Sequence, residues 1–441
     1  MKASLALPFA CLLIAAICAP AADSAVPPLR ERLKDAHAKD ADHWIYNDIT
    51  AARAEAKRQN KPIFVTFRCV PCKACAGFDA EVANNSEIIK DYARSKFISV
   101  RQVEMKGVDL SLFEFDFDLN WAAVFVNADG TVYGRYGTQS ENGPDAYNSI
   151  ESLEKAMTRV LELHAAYPGN KAALQGKVPA PKPYKTPLDM PGLDRKETLR
   201  GQTERGNCIH CHNVHDAEQR QWRADGTFSP EKLWRYPLPD NTGFHIDHKD
   251  GAKIESVTKN SPAAKAGLRA GDVVTHVNGQ SVISIADIQW VLNGLPNDKA
   301  SFDVTYQRGK KSGTATVSLS PGWKKTNISW RGSMWSLRPR PGFWAPAMKP
   351  EEIAVLKLPP EVKPLKVQFF ANNAADGDAA KAAGLRIGDI ITGFEGKPFN
   401  LTPLEFNVHI RMNYKVGDTL ALTVLRDGGA VPINIPIVSD K

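Results

Sequence analysis

Three cysteines at an even spacing of three, Cys69, Cys72 and Cys75, stand in the stretch TFRCVPCKACAGFD. Such a trio can be a redox dithiol with a spare thiol, a ligand set for a soft metal ion, or part of a disulfide framework. A second group follows in RGNCIHCHNVHD, where Cys208, Cys211 and His212 form a Cys-x-x-Cys-His string. That string is the attachment pattern of a c-type haem, with two thioethers and an axial histidine. The same segment offers Cys208, Cys211, His212 and His215 as a zinc or copper set. A second dithiol or a structural disulfide between Cys208 and Cys211 is the remaining reading.

The compartment narrows these choices. Met1 and Lys2 give a positive start, Leu5 to Ile17 is almost wholly apolar, and Ala19-Pro20-Ala21 supplies small residues at cleavage spacing. Residues 1–25 therefore read as a signal peptide, and the chain is expected in a bacterial periplasm. The apolar run is too short to favour a spanning helix, and no later stretch predicts a transmembrane segment. A lipid anchor at Cys18 is disfavoured by the bulk of Ile17. Removing Cys11 and Cys18 from the seven cysteines leaves an odd number in two tight groups, which suits thiol or metal sites better than staples. The net charge of +7 is scattered, without a run of five like charges, so no nucleic-acid partner is expected.

Several elements must position these residues. An amphipathic helix over Ile49–Gln59, a buried strand over Lys61–Phe67, a helix and strand after Cys75, a hairpin turning at Asn127–Gly130 and a helix over Ser149–His164 make one α/β unit, residues 43–168. Residues 169–200 are rich in proline and lysine and predict an extended linker. The Cys/His segment occupies 201–239. Beyond it one pattern occurs twice, in SPAAKAGLRAGDVVTHVNGQSV (261–282) and DGDAAKAAGLRIGDIITGFEGKPF (376–399). A repeat at this distance predicts two copies of a whole domain, 240–322 and 335–440, β-rich with short helices.

The Ala-Gly-Leu-Arg-x-Gly-Asp stretch of each copy is similar to PDZ domains of the permuted bacterial type. The resemblance implies a groove that takes a partner's C-terminal tail as an added strand, its carboxylate held by a Gly-containing loop. Gly243 and Phe244 in the first copy, and Gly342 and Phe343 in the second, are the matching loop residues. The alternative is that one or both copies are packing modules with closed grooves. Exported PDZ proteins are often serine proteases, but no Gly-x-Ser-x-Gly motif and no protease-sized domain precede this pair.

The α/β unit resembles the thioredoxin fold. Cys69-Val-Pro-Cys72-Lys73 imitates that family's Cys-Gly-Pro-Cys-Lys. Counting from Phe67 at the strand end instead makes Cys72 the nucleophile and Cys75 the resolving thiol, with Cys69 as a third thiol in the entering loop. A thiolate at a helix start is stabilised by unpaired N–H groups, and Arg68 and Lys73 add positive charge. One departure stands out. The family's cis-proline before the hairpin is missing from NWAAVFV, where Ala122 or a neighbour takes its place, and this raises the case for a soft metal at Cys69, Cys72 and Cys75. As a whole the chain resembles the exported thioredoxin/PDZ-domain (seleno)protein family. The resemblance implies a thiol–disulfide redox protein whose PDZ domains recruit a protein partner. The alternatives are haem c electron transfer or metal handling at the Cys-x-x-Cys-His site, and a non-catalytic PDZ scaffold.

Overall fold

The computed structural model describes residues 27–37, 43–70, 76–85, 87–144 and 146–439. The expected signal peptide, Cys72 and Cys75 lie outside them.

Alternation along two strands separates the layers of the first unit. Its elements are β1 (Trp44–Tyr46), α1 (Ile49–Gln59), β2 (Ile63–Arg68), α2 (Ala76–Ala80), β3 (Ile98–Gln102), β4 (Trp121–Val126), β5 (Val132–Tyr136) and α3 (Ile150–Ala165). The sheet order is β1-β3-β2-β4-β5, with β1 and β2 parallel to β3 and the β4–β5 hairpin antiparallel. Ile63, Val65 and Phe67 of β2 join Ala122, Val124 and Val126 of β4 on one face. Phe64, Trp121, Ala123 and Phe125 point to the other, where α3 supplies Leu153, Ala156, Met157 and Val160. Ser149 caps α3, accepting a hydrogen bond from the Ser152 N–H.

The stretch expected to be an extended linker is part of this domain. Residues Lys171–Lys177 form a 3-10 turn, and Leu174 enters the second core. Met190, Leu193 and Leu199 are buried on the first face beside Ile209, Val214 and Ala217 of the Cys/His segment. Widely spaced apolar residues within a Pro/Lys-rich background anchor the chain, and their burial outweighs the linker-like composition.

The repeated motif has a physical reason in both copies. Gly267 and Gly384 end their helices at φ +84° and +89°, a region open to glycine. In the first copy the Asp272 carboxylate accepts from the Arg269 N–H at 2.9 Å and pairs with Arg308 of the closing hairpin at 2.6 Å. Asp389, the Arg386 N–H and Arg426 repeat the arrangement at 2.8 and 2.6 Å. Each Asp therefore joins the turn after the helix to the edge of the sheet.

The first copy uses its long helix, α5 (Ile285–Gly294), to dock on the thioredoxin-like unit. With α4 (His212–Ala224) already placed in the Cys/His segment, α5 is buried on both faces. Ile288 and Leu292 face its own core. Asp287 accepts from the Arg135 N–H at 3.1 Å and pairs with the buried Lys177 at 2.8 Å. Gln289 accepts from Thr138, and Trp290 donates to the Gly176 carbonyl. A Cβ on Gly134 of β5 would collide with Ile283 and Asp287, so glycine is required for this contact.

A strap between the two copies is fixed by charge. Arg331 is buried and donates to both oxygens of Asp116, at 2.7 and 2.8 Å, and to Asp118 at 3.2 Å. Ser333 binds Asp118 through its N–H at 2.7 Å and its hydroxyl at 2.8 Å. Met334 and Leu337 pack with Leu233 and Ile328.

Candidate thiol site and peptide groove

β2 ends at Arg68, and the next residue, Cys69, leaves the sheet toward the Cys/His segment. The Cys69 Sγ lies 2.7 Å from His210 Nδ1. This contact joins the two cysteine motifs, which are 141 residues apart in sequence, in one site. The loop carrying His210 is held by the Met105 N–H, which donates to the Ile209 carbonyl at 3.0 Å, and by the Asn213 side chain, which accepts from the His210 N–H at 3.0 Å. Burial, then the neighbouring charges of His212 and Arg195, keep His210 below the ordinary imidazole value. A neutral imidazole beside a thiol can accept its proton and leave a nucleophilic thiolate.

His212 begins α4, and its ring centroid lies 5.7 Å from that of His210. Its Nδ1 contacts Asp216 at 3.1 Å, which orients the ring. Against the burial that would raise it, the bond from His212 holds Asp216 below the usual carboxylate range. Cys208 points inward and is 7% exposed, with its thiol pushed up by burial. Cys211 is half-buried.

One expectation is corrected here. Arg68, expected to add charge near a thiolate that lies outside the described residues, is buried and paired to Asp79 at 2.9 Å, within a ladder that continues through Arg101 to Asp35. The expected Cys208, Cys211, His212 and His215 metal set does not assemble. His215 turns into the strap hub, 3.6 Å from Asp116, 3.2 Å from Glu218 and against the Phe117 ring. Asp116, Asp118 and His215 do lie close enough together to hold an ion, but the Arg331 guanidinium already pairs with both carboxylates.

A haem does not fit this arrangement. Cys208 is 7% exposed, with its Sγ against the Arg205 carbonyl at 3.6 Å. The strap backbone lies against His212, since a Cβ on Gly332 would sit 3.2 Å from the ring Cγ. A porphyrin would have to displace the strap and expose Cys208.

In the position where thioredoxins carry their cis-proline, Trp121 pairs with Arg68 and Ala122 with Phe67. The Trp121 ring is buried edge-on against Phe78, 5.0 Å away.

The second repeat contains a cavity of about 450 Å³ between β6 (Phe343–Trp344) and α6 (Pro403–Asn413). Trp335, Phe343, Trp344 and Phe369 wall it, with Asn407 and Arg411 across from them. β6 pairs on one edge with β7 (Phe369–Phe370). The carbonyls of Gly342 and Trp344 accept from that side, so the Phe343 N–H and carbonyl face the cavity. Gly342 has φ +79°, and a Cβ there would meet the Asp376 carbonyl oxygen at 2.2 Å. In the first repeat, Gly243 packs on Ser261 and Phe244 is fully buried, while α5, the corresponding groove wall, is taken up by domain docking. The two repeats thus differ in what their long helices do.

Sequence reasoning passed over Asp216 and the hub carboxylates Asp116 and Asp118, and it took the Trp/Pro-rich stretch 330–346, which holds Arg331, Gly332 and Trp335, as one that fills its own groove or packs against its neighbour.

The PDZ domain family model matches residues 243–319 and 361–437, and the thioredoxin-like family model matches residues 44–128. The chain carries a thioredoxin-like domain and two PDZ domains. Among curated proteins, it is similar to a probable periplasmic serine endoprotease DegP-like of Pseudomonas fulva, 28% identical over 191 residues, 42% of this chain and 38% of that protein. A serine protease Do-like HtrA of Lactococcus lactis is 46% identical over 70 residues, 16% of this chain and 17% of that protein. The chain spans less than two fifths of the length of these relatives. Among solved structures, an HtrA-type protease AlgW with decapeptide aligns with a TM-score of 0.20 and 11% identity, covering 38% of this chain and 55% of that one. Among the described residues, no helix is long and apolar enough to cross a membrane.

Proposed function

We propose that this is an exported thiol–disulfide exchange protein. Its second PDZ domain captures the C-terminal tail of a client protein, and the site shared by the thioredoxin-like domain and the Cys/His segment acts on the client's disulfide. The observation that carries the reading is the 2.7 Å contact between Cys69 Sγ and His210 Nδ1, which places a thiol beside a base at the end of the thioredoxin-like strand. Cys72 as nucleophile and Cys75 as resolving thiol belong to the same proposal, with Cys69 as the accessory thiol that His210 activates. The first PDZ domain acts as a docking module. Export is supported by the apolar N-terminal run of the sequence and by relatives named as periplasmic.

The test is thiol chemistry on the full chain. Incubation with glutathione disulfide, followed by peptide mapping, should place mixed disulfides on Cys69 and on the Cys72/Cys75 pair. Cys72→Ser should slow the exchange of a protein disulfide. Unchanged exchange in Cys72→Ser would remove Cys72 from its assigned role, and an unmodified Cys69 would remove the His210-activated thiol.

A further inference from the structure

We propose that the preferred substrate is a C-terminal tail with an apolar last residue and a cysteine about six to twelve residues before its end. This inference rests on the thiol-exchange reading above and names the substrate class of that site.

The strap sets the distance. Gly332 lies against the His212 ring, where even a Cβ would stand only 3.2 Å away. Three residues later in the same 3-10 turn, Gly332–Ser336, Trp335 walls the peptide groove. Its ring meets Trp344 at 5.8 Å and lies under the Arg411 guanidinium at 5.5 Å. A 3-10 turn rises about 2 Å per residue, so about 6 Å separates the two strap residues. From His212 the rings step 5.7 Å to His210, whose Nδ1 is 2.7 Å from Cys69 Sγ. The groove wall therefore stands within about 20 Å of the thiol, a span that about six extended residues cover. A tail that must leave the groove before turning back needs several more. Beyond about twelve, the local concentration of the tethered sulfur falls with the length of free chain.

The groove also states what it takes. Aromatic walls favour an apolar terminal side chain, the outward Phe343 N–H can receive a carboxylate, and Arg411 adds positive charge. Among the described residues β6 pairs only with β7, so its other edge can accept an added strand.

The covalent step conserves atoms and electrons. The Cys69 thiol gives its proton to His210, and its sulfur attacks the client cysteine sulfur of a disulfide. A Cys69–client disulfide forms, the original S–S bond breaks, and the departing thiolate takes the proton. One disulfide replaces another, and no external oxidant is needed.

The experiment uses the full chain carrying Cys72→Ser and Cys75→Ser, so that a Cys69 adduct persists. Synthetic peptides ending in phenylalanine carry one cysteine four, eight, twelve or twenty residues from the end, each activated as a mixed disulfide with thionitrobenzoate. Release of the coloured thiolate gives the rate, and peptide mapping identifies the modified cysteine. The eight-residue peptide should react at least about tenfold faster than the four-residue one, which is too short to span the distance, on Cys69, and lose that advantage when its C-terminus is amidated. Dithiobis-nitrobenzoate, which needs no groove, reads Cys69 directly. If it labels Cys69 while all peptides react alike, the tail requirement is overturned and the thiol reading stands. If Cys69 is not labelled at all, both fall. Adducts on Cys208 or Cys211 in place of Cys69 also overturn the proposal.

Discussion

Arg331→Met should detach the strap that connects the thiol site to the peptide groove. The guanidinium side chain is 5% exposed and faces carboxylates that are 6% and 1% exposed. At contacts of 2.7 to 3.2 Å, each pairing is attractive by about 5 kcal/mol at an effective dielectric near 20. Much of this attraction only offsets the cost of taking the ions out of water. Removing the cation alone leaves two buried carboxylates without it, a change that typically costs about 3–5 kcal/mol. Urea unfolding followed by tryptophan fluorescence reads the effect, because Trp330 and Trp335 both lie in the strap. Adding Asp116→Asn and Asp118→Asn to Arg331→Met should recover at least half the loss, since no buried charge is then stranded. A single substitution costing under about 1 kcal/mol, or a triple variant no more stable than the single, would refute the electrostatic account.

Other outcomes follow from individual contacts. His210→Phe should slow the reaction of Cys69 with a small disulfide about tenfold at neutral pH, and an unchanged rate would show that the imidazole does not activate the thiol. Gly342→Ala forces a side chain into the Asp376 backbone at positive φ, so the second PDZ domain should lose about 2 kcal/mol or more in chemical denaturation and bind tails at least tenfold more weakly. Burial pushes Lys324 down to about 8, below its ordinary value of 10.5. The unfolded chain then binds more protons between those values, so stability should rise with pH from about 8 to 10.5. Lys324→Met should lack that rise, which paired thermal melts across the range will show. Protein purified from a haem-maturing host should show no Soret absorbance, and a strong Soret band would overturn the reading that the burial of Cys208 and the strap against His212 leave no room for a porphyrin.

What the sequence displayed and what it concealed differ in the range of the interactions involved. The β2 and β4 strands, the Asn127 turn and the capped α3 helix are local patterns, and each appears where periodicity and capping place it. The Ala-Gly-Leu-Arg-x-Gly-Asp repeat was legible for the same reason: its glycine and aspartate perform turn chemistry within a few residues. The linker misled because composition averages over 32 positions, whereas Met190, Leu193 and Leu199 act one at a time against a face built elsewhere. The strap was hidden more deeply. Arg331 is an ordinary basic residue until Asp116 and Asp118, 215 and 213 residues earlier, surround it. The opening trio shows both sides of this. The thioredoxin resemblance, counted from the strand end at Phe67, favoured Cys69 as the extra thiol of the motif, but its partner His210 arrives through a loop anchored on Met105 and packed by Ile209. A cysteine motif discloses which atoms are available for chemistry, and long-range packing decides which base, wall and substrate groove they meet.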